Sequence, residues 1–110
     1  NFQFKPVYFE TDQYALDTAY YDDLKAIARI LKSHSDLRLK IEGHTDGDGS
    51  ESYNLTLSKQ RAEEIIKYLV SIGIPPDRMV QAYDGEKKPI DSNLTEEGKQ
   101  RNRRVELSFI

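Results

Sequence analysis

Residues 42–50 read EGHTDGDGS and bring an imidazole, His44, close to carboxylates at Glu42, Asp46 and Asp48 and to the hydroxyl of Ser50. Several chemistries use such groups. A calcium loop needs Gly at its sixth position and a bidentate Glu at its twelfth. Counted from Asp46, those places hold Glu51 and Leu57, so the pattern fails. His44 and Asp46 alone are too few ligands for a transition metal. Acyl transfer from Ser50, His44 and Asp46 would require the base between nucleophile and orienting acid, normally on separate elements, and no GxSxG elbow is present. Phosphate cradling would need more glycines and a lysine, and Asp46, Asp48 and Glu51 would repel the anion. A turn with no chemistry of its own is also consistent, since Gly47 and Gly49 permit positive φ and Asp48 tolerates it.

The next basic residue that breaks a local rule is Arg61. In LSKQRAEEIIKYLVSIG, Ser58 fits an N-cap, which places Arg61 three residues into a helix. A Glu or Gln there would complete a capping box, whereas a cation faces the positive end of the helix dipole. Violations of this kind concentrate at sites. If the glycine-bearing loop folds back over the helix start, Asp46 and Arg61 become neighbours. They would then form either a plain salt bridge or a split pair, with Arg61 for a carboxylate and Asp46 for an ammonium. A split pair reads the two ends of an amino-acid-like group.

The elements that must carry these residues follow from hydropathy patterning. PVYFE (6–10) reads as a short strand. DQYALDTAYYDDLKAIARILKSH places Tyr20, Leu24, Ile27, Ala28 and Leu31 at helical spacing. LRLKIEG (37–43) alternates as a half-buried strand that ends at the loop. The second helix has Ala62, Ile65, Ile66, Leu69 and Val70 as its apolar stripe, stopped by Gly73 and the pair Pro75 and Pro76. RMVQAYD (78–84) is a third strand, TEEGKQRN (95–102) at most a short helix capped by Thr95, and RRVELSFI a fourth strand. The order β-α-β-α-β-(α)-β predicts an α+β fold, two main helices on a mixed four-stranded sheet. Its expected core is Phe9, Leu24, Ile27, Leu31, Leu39, Ile41, Ile65, Leu69, Val105 and Leu107.

Composition narrows the function classes. The chain has 110 residues, 37% hydrophobic and 32% charged, enough for one domain with a modest core. With 16 basic and 19 acidic residues the net charge is -3, which gives no long-range attraction to nucleic acid or anionic lipid. The adjacent Arg103 and Arg104 are not a basic patch; one is expected to serve a site and the other a surface salt bridge. The absence of cysteine excludes disulfide and thiolate chemistry. No apolar run is long enough to span a bilayer. The chain opens on Asn1, which suggests a fragment of a larger protein. His44 is read as structural, and the tyrosines at 14, 20 and 21 as packing.

EGHTDGDGSESYNLTLSKQRAEEIIKYLVSIGI, followed by SNLTEEGKQRNRRVEL, resembles the OmpA C-terminal domain family shared with MotB and Pal proteins. The GHTD turn, the YN-x-x-LS-x-x-RA segment and the terminal NRRVE carry the likeness, which extends over nearly the whole chain. The resemblance implies a single non-enzymatic domain over residues 1–110 that binds peptidoglycan through the diaminopimelate of the stem peptide and tethers an envelope protein to the wall. It implies that Asp46 and Arg61 hold the amino and carboxylate groups, that Asp12, Thr45, Asn54 and Arg103 add contacts, and that Leu57 and Ser58 shape the wall. Two departures bear on ligand preference. Asp12 is an acid where relatives often have a neutral residue, and Asp48 would add negative charge beside the pocket. No cofactor, metal or nucleic acid is implied, and a homodimer is a candidate assembly. The expected location is the periplasmic side of the envelope, with the domain outside the membrane and the full-length protein anchored in the outer membrane. The rival readings are an envelope hydrolase or metal-dependent domain using His44, Asp46 and Asp48, and a ligand-free protein-interaction module.

Overall fold

The computed structural model describes residues 4–110. Its elements are β1 (Val7–Tyr8), α1 (Tyr21–Ser33), β2 (Leu39–Gly43), α2 (Glu51–Ser71), β3 (Met79–Tyr83), α3 (Glu96–Asn102) and β4 (Arg104–Phe109), with single 3-10 turns at Thr18–Tyr20 and Pro76–Arg78. The sheet order is β1-β4-β2-β3. β2 and β3 are parallel, and β4 lies antiparallel between β1 and β2. This is the mixed four-stranded α+β sheet expected from the sequence. All ten residues expected in the core are buried, because alternation along β2 and β4 sends Leu39, Ile41, Val105 and Leu107 to one face.

Both main helices begin elsewhere than the sequence suggests. The first apolar-periodic segment does not run as helix from Asp12. Asp17 caps the 3-10 turn by accepting from the Ala19 amide at 2.9 Å, and α1 starts only at Tyr21. Upstream, the Gln13 amide donates to the Glu10 carbonyl in a turn where Asp12 adopts φ 58°. That backbone is committed to a turn and cannot enter the helix.

The correction to α2 matters more. Its N-cap is Ser50, whose Oγ accepts from the Tyr53 amide at 3.1 Å, with Glu51 in the first turn. Ser58 lies inside the helix, and Arg61 sits well beyond the first turn, so the helix-dipole reason for singling out Arg61 does not apply. At the other end Gly73 adopts φ 102°, and the Gly73 and Ile74 amides donate to the Val70 and Leu69 carbonyls, a Schellman closure. Val70, assigned to the apolar stripe, is 43% exposed.

The buried face of α2 changes character along its length. Its C-terminal half buries Ala62, Ile65 and Leu69, while its N-terminal half buries Asn54, Leu57, Ser58 and Arg61. The helix can approach the end of β2 because residue 43 is glycine: a Cβ there would lie 2.0 Å from the Ser58 carbonyl oxygen. That backbone contact sets the polar half of α2 against the loop after β2.

Candidate ligand-binding site

Arg61 is 0% exposed. Its guanidinium donates from Nε to the Gln13 carbonyl (2.8 Å), from Nη1 to the His44 carbonyl (2.9 Å) and from Nη2 to the Glu10 carbonyl (3.1 Å). Its Cζ stands 5.3 Å from the Phe9 ring centroid. Burial pushes the Arg61 pKa down to about 10, with Asp46 opposing that shift and Arg103 adding to it. The group is therefore cationic at neutral pH.

Arg103 mirrors it from the other side. Its Nε donates to the Phe9 carbonyl at 3.1 Å and its Nη1 to Asp46 Oδ2 at 3.0 Å, a pair with both side chains under a tenth exposed. The other carboxylate oxygen of Asp46 accepts from the Asp48 amide at 3.0 Å. The direct partner of Asp46 is thus Arg103 and not Arg61, which reaches Asp46 only through its field. Sequence reasoning joined Asp46 to Arg61 because it placed both at a helix start; the longer α2 carries Arg61 beneath the 10–13 turn instead. In sum, two buried guanidiniums face one buried carboxylate, and the cluster holds one unit of positive charge in excess.

The remaining expected site residues frame this cluster. Thr45 is 2% exposed, its amide donates to the Gly85 carbonyl and its hydroxyl to the Asp46 carbonyl. Asn54 Nδ2 donates to Glu86 Oε1 at 2.9 Å, and Ser58 Oγ accepts from the Gly85 amide at 3.0 Å, so both fix the 85–86 loop to α2. Leu57 is buried. Asp12 is exposed and accepts a 3.2 Å bond from the Tyr53 hydroxyl. The Tyr53 pKa is raised, first by desolvation and then by the Asp12 charge. Tyr53 was not assigned to the site; its position one residue before Asn54 was the available signal.

The glycine loop is built differently from the expectation. Only Gly49 uses positive φ, at 92°. Gly47 sits close to Asn93: its amide donates to Asn93 Oδ1, and a Cβ would lie 3.0 Å from Asn93 Nδ2, so any larger residue would have to displace that side chain. Asp48 does not add charge to the pocket, because its carboxylate is 61% exposed and pairs with Lys99 of α3 at 3.3 Å.

His44, Asp46 and Asp48 do not converge, which removes the constellation of the hydrolase reading. The His44 side chain lies on the opposite face of the sheet from Arg61, with Glu42, Asp84 and Glu106 oxygens at 3.9, 4.0 and 3.9 Å. Burial pushes its pKa down to about 4. Arg104, expected at the surface, is 1% exposed and pairs with Glu106 at 2.8 Å. Tyr21 stacks on Tyr68 with centroids 4.2 Å apart, a packing role.

Known proteins match both the sequence and the shape. The OmpA family profile covers residues 8–103. The peptidoglycan-binding protein ArfA of Mycobacterium tuberculosis is 42% identical over 102 residues, which is 93% of this chain and 31% of ArfA. The chain therefore spans about a third of the length of that relative. The crystal structure of the peptidoglycan-associated lipoprotein from Burkholderia pseudomallei superposes with a TM-score of 0.92 at 33% identity, covering 96% of this chain and 89% of that one. The C-terminal domain of Helicobacter pylori MotB does so with a TM-score of 0.87 at 25% identity, covering 97% and 84%.

Proposed function

Taking as premise that this chain belongs to the OmpA family, we propose that it binds peptidoglycan non-covalently and tethers an envelope protein to the wall. The names of its relatives support this reading: ArfA is called peptidoglycan-binding, and the Burkholderia lipoprotein peptidoglycan-associated. No helix among the described residues is long and apolar enough to cross a membrane. We place the domain on the periplasmic side of the envelope, with outer-membrane anchoring and homodimer formation as properties of the full-length protein. The role assigned is binding.

The observation that carries the finer reading is the excess positive charge of Arg61, Arg103 and Asp46. A buried cation without a counter-ion is costly, and a ligand carboxylate removes that cost. Arg61 has five N–H donors, of which three meet backbone carbonyls. Exchanging the neutral Glu10 and Gln13 carbonyls for a carboxylate adds charge–charge attraction and bidentate geometry to bonds that the guanidinium already strengthens. The 10–13 turn, held by those bonds, is what yields when the ligand enters. Asp46 keeps free lone pairs beside its two bonds and takes an ammonium. A group bearing both charges is the amino-acid end of a diaminopimelate side chain in the stem peptide. Thr45, Asn54, Leu57, Ser58 and Asp12 with Tyr53 form the wall and rim. Each charge-assisted bond contributes about 1.5–3 kcal/mol, so single-site affinity is modest and the repeated polymer supplies avidity.

Co-sedimentation with insoluble peptidoglycan tests this. The wild-type domain should pellet with the wall, and Asp46→Asn, if folded by circular dichroism, should stay in the supernatant. Pelleting of both alike, or of neither, contradicts the proposal.

A further inference from the structure

His44 places its backbone and its side chain on two different tasks. Its carbonyl accepts from Arg61, while its imidazole is 1% exposed and both ring nitrogens lack a hydrogen-bond partner. Asp84 Oδ2 is likewise buried with no donor assigned to it, its carboxyl set against that of Glu42. Three orphaned polar atoms in one spot are uncommon in a folded domain and call for an explanation. Those atoms do not point into apolar surroundings. One ligand atom from each of Glu42, His44 and Asp84 lies within 4.8 Å of the others, and Glu106 Oε1 stands 3.9 Å from His44 Nε2.

From this geometry we infer that Glu42, His44 and Asp84 form a binding site for a first-row divalent transition ion, of which Zn2+ is the best fit. One imidazole nitrogen with carboxylate oxygens is a donor set that Zn2+ accepts and that a purely oxygen-seeking ion such as Mg2+ does not favour. A tetrahedral ion with bonds near 2.0–2.2 Å holds its ligand atoms roughly 3.4 Å apart, so side-chain rotation of Glu42 and Asp84 has to draw the group inward by about 1 Å. The ring nitrogen left over needs a second partner to fix the tautomer, and carboxylates are present on both sides of the ring. Cations already stand at the cluster: Lys40 is 3.7 Å from Glu42 Oε1, Arg104 pairs with Glu106, and the Lys88 ammonium, which bridges both carboxylates, is 3.2 Å from Glu42 Oε2 and 3.7 Å from Asp84 Oδ1. The Lys88 side chain is 61% exposed and free to withdraw into solvent. Metal and lysine therefore compete for the same two carboxylates. The site lies across the sheet from Arg61 and differs from the His44, Asp46 and Asp48 set, so it stands independently of wall binding. Joining β2 to the loop after β3, it would act as a clamp on the strand end from which the Asp46 loop departs.

Thermal unfolding of the domain with ZnCl2, MgCl2 or chelator tests the assignment, with Co2+ absorption as a direct readout of coordination. Saturating Zn2+ should raise the wild-type Tm by about 10 °C while Mg2+ leaves it unchanged. Asp84→Asn, at a partly exposed position, should remove the shift and the Co2+ bands without unfolding the domain. Lys88→Ala should strengthen Zn2+ binding severalfold. His34→Gln, at the other and exposed histidine, should leave both readouts intact. Absence of a shift and of Co2+ bands in wild type, persistence of both in Asp84→Asn, or their loss in His34→Gln would overturn the proposal.

Discussion

Two buried charge clusters flank the end of β2, and they are finished to different degrees. On the α2 side, Arg61, Arg103 and Asp46 make hydrogen bonds through every charged group, with five of those bonds going to backbone or carboxylate atoms of the 9–13 turn, His44 and Asp46. On the opposite face, His44 and Asp84 leave three buried atoms unpartnered. The first cluster is satisfied in its bonds and unbalanced in its charge. The second is balanced by Lys88, Lys40 and Arg104 but unsatisfied in its bonds. A missing charge asks for an ion of opposite sign, and missing bonds ask for a small electrophile. That difference separates a place for a carboxylate-bearing ligand from a place for a metal.

The sharpest way to break the contrast is to remove the centre of each cluster. Arg61→Met should cost about 2–4 kcal/mol in urea unfolding, since stripping donors from three carbonyls outweighs the relief of the cluster's excess charge, with Asp46 still paired to Arg103. His44→Phe, which replaces unpartnered nitrogens by carbon, should change stability in chelator by less than about 1 kcal/mol at neutral pH. Equal losses for the two would show that both clusters are structural in the same sense.

Acid separates the clusters next. The His44 pKa is pushed from 6.5 to about 4 by burial. Below 6.5 the unfolded chain takes up a proton that the folded chain refuses, so stability falls as pH drops from 6.5 toward 4. The decrease should reach about 2–3 kcal/mol in chelator, and His44→Phe should flatten it. Glu42, held near 2 chiefly by its hydrogen bond with Asp84, contributes stability that is lost only below its ordinary 4.5. Asp84, whose pKa is raised chiefly by its hydrogen bond with Glu42, shifts stability in the opposite sense, so the difference between wild type and His44→Phe, and not the total slope, reports the imidazole.

Smaller changes probe the frame. Asn54→Ala removes the bond to Glu86 and should cost about 1–2 kcal/mol by the same unfolding measurement, with the 85–86 loop exchanging amide hydrogens faster. Asp48→Asn breaks an exposed pair with Lys99 and should change stability by less than about 0.5 kcal/mol and wall binding not at all. A strong binding defect in Asp48→Asn would return that acid to the pocket.

The fold was legible in the sequence because alternation in LRLKIEG and RRVELSFI and the helical spacing of Leu24, Ile27 and Leu31 are local records of burial. The GHTD, YN-x-x-LS-x-x-RA and NRR segments likewise mark buried polar residues, Asp46 and Arg103 paired with each other, and Asn54 and Ser58 bonded to the 85–86 loop. Their pairing was not legible. Arg61 was chosen for a helix-start conflict that does not exist, because Ser50 and not Ser58 caps α2. Its true partners are the carbonyls of Glu10, Gln13 and His44, and backbone acceptors leave no trace in residue type. The second cluster was hidden for a related reason. Glu42, His44 and Asp84 meet only through the parallel register of β2 on β3, which aligns Gly43 with Tyr83 and so brings the two strand ends together.

Titration calorimetry with two stem peptides tests the central claim most directly. One carries free diaminopimelate, and the other has the side-chain carboxylate of that residue amidated. The charge excess at Arg61 and Arg103 predicts binding of the free form, weakened about tenfold or more by amidation, since one charge-assisted contact is lost. Equal affinity for the two peptides, or no binding of the free one, would contradict it.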